Sequence, residues 1–165
     1  MKDSHKAQLG EILSAFDAKR AAVKKETERR KTAHELFLEA FAEKTKSVIR
    51  PAMEELAIAL RERGHDAEIV EQAESSDAQG RVQNARVTLS IFPLGERPRH
   101  SNELDVPHVA IIANSHSDDV YVHQSTMMPG RGGQAGSEGK YTLDSITADL
   151  VQQLTLKVLA QAMVG

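Results

Sequence analysis

Between Asp3 and Ile49 the chain has no proline and a single glycine, Gly10, and it is dominated by Ala, Glu, Lys, Arg and Leu. These are strong helix formers. A continuous helix over this stretch would be about 70 Å long at 1.5 Å per residue. A domain of about 100 residues has a radius of gyration of only about 13 Å. Its own domain therefore cannot cover such a helix along its whole length. The helix must pair with another chain, fold back, or stand partly in solvent.

Apolar residues recur at alternating four and three spacings: Leu9, Leu13, Phe16 and Val23, then Phe37, Phe41 and Val48. This is a coiled-coil-like stripe. Leu9, Leu13, Phe16, Phe37, Phe41 and Val48 are its candidate self-association residues, and a homodimer is the simplest assembly. Arg20, Thr27, Arg30 and His34 hold the same register in the middle. Contacts are therefore expected at the two ends, with a solvated stretch between. Thr32 to Glu35 has the capping-box pattern of a second helix start. No Gly, Pro or Asn marks a turn there, so a continuous helix is the better reading.

Pro51 either kinks this helix or opens a new one. Met53, Leu56 and Leu60 share a face, and Arg61 to Gly64 read as a basic last turn with a glycine cap. The chain thus divides into a helical appendage, 1–49, and a compact domain, 50–165.

After Gly64 the apolar period changes from helical to twofold. Asp66 to Gln72, Ala85 to Phe92, His108 to Asn114 and Val120 to Thr126 read as four strands. Ser75 to Gly80 reads as a polar turn. The closing helix is predicted from about Leu143 to Met163, capped by Thr142 or Asp144, with Ile146, Leu150, Leu154, Leu156, Val158 and Leu159 on its apolar face. The fold class is α+β. A long N-terminal helical segment precedes a four-stranded, mainly antiparallel sheet whose apolar face is covered by helices. That face carries Val87, Leu89, Ile91, Val109, Ile111, Val120 and Val122.

An even-numbered loop between the last two strands would put His108, Ala110, Ile112 and Asn114 on one face with Tyr121, His123 and Ser125. That face lies opposite the core. Arg86, His108, Tyr121, His123 and Ser125 form its candidate binding surface for a small molecule or divalent metal, because neutral imidazole suits such ions. The plainer reading is a solvated polar face. His116, Asp118 and Asp119 crowd one loop without any fixed metal-ligand spacing, and turn chemistry explains them.

Residues 129 to 139 hold five glycines: Gly130, Gly132, Gly133, Gly136 and Gly139. With Arg131 they read as a mobile, partner-binding loop. Gly139-Lys140 is followed by Tyr141, which breaks the phosphate-loop pattern. Arg97 to His100 and Lys24 to Lys31 are small basic patches. They suggest at most weak nucleic-acid binding, since aromatics are 4% of residues and few are available to stack on bases.

The sequence contains no cysteine, which removes disulfides, thiol nucleophiles and thiolate metal sites. No catalytic constellation and no cofactor motif are legible. A polar N-terminus and the lack of a long apolar run point to a cytoplasmic protein without membrane contact. The leading expectation is an interaction or scaffold module.

Overall fold

A computed structural model describes residues 2–97 and 105–165. The chain forms two compact units, 1–37 and 38–165. Helix α1, Asp3–Lys44, is unbroken. The fold-back alternative is not used. The Thr32 hydroxyl donates to the Glu28 carbonyl within the helix at 3.1 Å and caps nothing.

Pro51 leaves its mark just upstream. A proline lacks the N–H that would bond four residues back. One wide π turn, Thr45–Ile49, absorbs the mismatch, and the Arg50 N–H reaches the Thr45 carbonyl. Helix α2, Arg50–Glu62, follows with Pro51 in its first turn.

The second unit begins at Leu38, earlier than the predicted boundary after Ile49. The reason is burial. Phe41, Thr45 and Ile49 are 4%, 6% and 0% exposed. Phe41 therefore belongs to a core within its own chain and is withdrawn from the self-association stripe.

Strands β1, Asp66–Gln72, and β4, Arg86–Phe92, pair antiparallel and flank a small ribbon of β2, Ser75–Ser76, and β3, Val82–Gln83. That ribbon occupies the predicted polar turn. Strands β5, His108–Asn114, and β6, Asp119–Ser125, continue the main sheet. A fifth strand, β7, Ala135–Tyr141, completes the order β1-β4-β5-β6-β7, all antiparallel.

Strand β7 corrects the glycine-rich loop. Gly136 and Gly139 lie inside a paired strand, and Gly130, Gly132 and Gly133 lie in the hairpin that leads to it. That hairpin closes through Thr126 N–H to the Gln134 carbonyl at 2.8 Å and Met128 N–H to the Gly132 carbonyl at 3.0 Å. A Cβ at Gly133 would lie 2.6 Å from the Thr126 carbonyl oxygen, so a close backbone approach fixes that glycine.

Val87, Leu89, Ile91, Val109, Ile111, Val120 and Val122 are all 0% exposed. Helix α2 packs on β1 through a face that buries Ala52, Met53 and Ala57. Helix α3, Ala148–Leu159, packs on α2 and β5 and buries Val151, Leu154, Thr155 and Val158. Leu156, placed on the apolar face by spacing, is 56% exposed. The helix starts later than predicted because Ile146 is extended and fully buried. Leu143–Ser145 form only a 3-10 turn, and the cap is Thr147, whose hydroxyl accepts the Leu150 N–H at 3.2 Å. Among the described residues no helix is long and apolar enough to cross a membrane.

Replacing an N-cap threonine by alanine costs about 1 kcal/mol. Thr147→Ala should lose about that much in urea denaturation, and Thr142→Ala, which removes no cap, should fall within about 0.5 kcal/mol of wild type.

Candidate functional site

The sheet face opposite the helices is set by register. Ile112 pairs with Tyr121, Ala110 with His123 and His108 with Ser125. On the other side of β5, Arg86 pairs with Ile112, Thr88 with Ala110 and Ser90 with His108. Arg86, His108, Tyr121, His123 and Ser125 therefore share one face. It is less open than a solvated face would be. Thr88, Ser90 and His108 are 3–6% exposed and Ser125 is 0% exposed, while Arg86, Tyr121 and His123 are half-buried.

The two histidines are in contact. His108 Nδ1 lies 3.0 Å from the Val106 carbonyl oxygen, and His108 Nε2 lies 3.1 Å from His123 Nδ1. The rings are nearly parallel, 18° apart, with centroids 5.2 Å apart. A carbonyl only accepts, which assigns the His108 Nδ1 proton. In the neutral pair His108 Nε2 then accepts from His123 Nδ1–H. Burial holds the His123 imidazole below its ordinary value, and the positive charge of Arg86 lowers it further. The arrangement is an oriented imidazole pair in which burial and Arg86 bias His123 toward its neutral form.

The neighbours are committed to structure. Arg86 Nε donates to Gln72 Oε1 at 3.0 Å. The Ser125 hydroxyl accepts the Met127 N–H at 3.1 Å, so it is a turn anchor. The Tyr121 hydroxyl is 3.5 Å from Asn84 Nδ2, and Asn84 Oδ1 is buried without a partner. Among the described residues no group of three or more His, Cys, Asp or Glu side chains converges as a metal site. In the Ser115 to Asp119 loop the His116 N–H bonds Asn114 Oδ1 at 3.0 Å, and Asp119 bonds Lys140 at 2.8 Å and Ser117 at 2.6 Å.

A groove of about 510 Å³ was not legible in the sequence. Leu38, Phe41, Thr45, Gln72, Ala85 and Arg86 are among its lining residues. The Thr45 hydroxyl is buried without a partner. Thr27, Thr32, Ser47 and Thr155, also helical, each bond the carbonyl four residues back. Thr45, the first residue of the π turn, departs from that pattern, while Ser47 inside the same turn keeps it.

In the first unit Leu9, Leu13 and Phe16 are 45–59% exposed. Ile12 and Val23 are similarly exposed at 58% and 59%, and they widen the stripe. Phe37 is half-buried, with its ring 6.4 Å from that of His34. Val48 is half-buried in the second unit. Of the basic patches, Arg97 is tied to Asp66 at 2.9 Å and Glu68 at 3.2 Å and lies 4.4 Å above the Phe92 ring. Pro98, Arg99 and His100 lie outside the described residues. No family model, curated protein or solved structure matches this chain.

A histidine whose value is depressed by folding stabilises the fold above its unfolded value, here 6.5, and that contribution declines as pH falls below it. The domain should therefore lose stability on acidification from roughly pH 7 to pH 5. Urea denaturation at fixed pH should show a shallower slope for His123→Gln. Arg86→Gln should raise the His123 midpoint followed by NMR.

Proposed function

We propose that this chain is an interaction module that associates with a second copy of itself through α1 of the first unit. One observation carries the reading. Leu9, Ile12, Leu13, Phe16 and Val23 lie along one side of the helix and are each 45–59% exposed. Fully burying one such side chain stabilises by about 1.5–3 kcal/mol, so covering the exposed half is worth about 1 kcal/mol. The set on two chains then contributes roughly 10 kcal/mol, the same size as the roughly 4–15 kcal/mol that association costs. That balance describes a concentration-dependent dimer. Phe41 takes no part, because its own domain buries it.

The polar sheet face supports a second reading, in which the His108–His123 pair receives a small polar molecule. Its support is the 3.1 Å imidazole contact and the carbonyl that orients it.

Sedimentation velocity across roughly 1 to 100 µM should show a monomer–dimer equilibrium, and Leu13→Asp with Phe16→Asp should raise Kd by about tenfold or more. The paired substitutions should leave the urea midpoint of residues 38–165 unchanged. A wild-type chain that stays monomeric over that range contradicts the reading.

A further inference from the structure

The middle of α1 works against the pairing that its apolar face favours. Residues 17–31 hold seven Lys and Arg against three Asp and Glu, a net charge of +4. Arg20 and Arg30 fall on the same four-three register as Leu9, Leu13, Phe16 and Val23. In an in-register parallel pair each of these guanidinium groups meets its own copy. Some of the charge is absorbed internally. Glu26 accepts Arg29 Nε at 2.9 Å, Arg29 Nη2 at 2.8 Å and Arg30 Nε at 3.1 Å. Those bonds hold its carboxyl at about 2, so it stays ionised at neutral pH. One carboxylate is thus shared by two guanidinium groups, and Lys24, Lys25 and Lys31 add to the excess on either side of it.

We infer that the basic stretch is an electrostatic brake on self-association, released by ions that screen it. This deepens the self-association reading and rests on it. Exposed charges interact over a Debye length of about 30 Å at 0.01 M salt and about 3 Å at 1 M. Paired helices lie about 10 Å apart, inside the first distance and outside the second. In that parallel pair, repulsion between two +4 stretches is therefore strong at low salt and largely removed at high salt. Apolar burial does not weaken on the same scale. The dimer should tighten as salt rises, the opposite of an assembly held by surface ion pairs.

A different arrangement of two copies predicts the reverse. Residues 1–37 carry nine Lys and Arg and six Asp and Glu, a net +3, and residues 38–165 carry twelve and eighteen, a net −6. A basic helix seated on the acidic domain of another copy would loosen with salt. The exposed apolar side chains favour helix on helix, since they lie along one side of α1.

The test is sedimentation equilibrium of the full chain in about 20 mM and about 500 mM sodium chloride, where the Debye length falls well below the interhelical spacing. Kd should fall by about tenfold or more at the higher salt. Lys24→Glu with Lys25→Glu should tighten the dimer at low salt and narrow the salt effect. Glu26→Gln should loosen it at low salt, with the difference closing at high salt. A dimer that loosens with salt, or double-charge variants that leave low-salt affinity unchanged, overturns the brake while self-association stands. A monomer at both salt concentrations overturns the self-association reading itself.

Discussion

The second unit depends on the fully buried layer formed by alternate residues of its three central strands. Val87, Leu89, Ile91, Val109, Ile111, Val120 and Val122 leave no surface to water. Branched aliphatic side chains suit a pleated half-buried surface, and a chain without tryptophan builds its core from them. That layer fixes strand register, because a one-residue slip would turn every one of these side chains to the opposite face. Register in turn places His108 beside His123, so the polar pair is a by-product of how the core is packed. The carbonyl of Val106, itself 1% exposed, completes it from the connection entering β5.

Helix α1 changes role along its length. Phe41, and Ile49 in the π turn beyond it, are buried within the second unit. Before Leu38 the same periodicity continues, and Leu9 to Val23 remain exposed. A helix in water draws most of its stability from packing an amphipathic face. The ion pairs Glu26–Arg29 and Glu26–Arg30 are exposed and contribute little on their own. Under the proposed self-association, cover by another copy supplies what they do not.

Much of this was legible because it rests on periodicity. The helical run, four of the five seven-residue strands and the shared face of His108 and His123 follow from spacing and hairpin parity. The fifth strand was not legible, since Ala135 to Tyr141 has two glycines, no branched residue and no alternation. Its order comes from backbone pairing with β6, and a lysine–glutamate contact, Lys157 to Glu138, ties it to α3. The cap at Thr147 was hidden because Ile146 reads as helical by spacing but is held extended in the core. Phe41 matched the stripe equally well as a surface or a core residue, and only the position of the sheet decides between them. The groove lined by Thr45 was not legible either, and nothing in the residues around Pro51 specifies which turn absorbs the missing hydrogen bond.

The central claim is that the Leu9 to Phe16 face is covered by another copy of the chain. Hydrogen exchange followed by mass spectrometry at increasing protein concentration reads this directly. Amides from Leu9 to Val23 should gain protection as concentration rises, while those of β4 and β5 stay constant. Exchange in Leu9 to Val23 that is fast and independent of concentration would contradict the account.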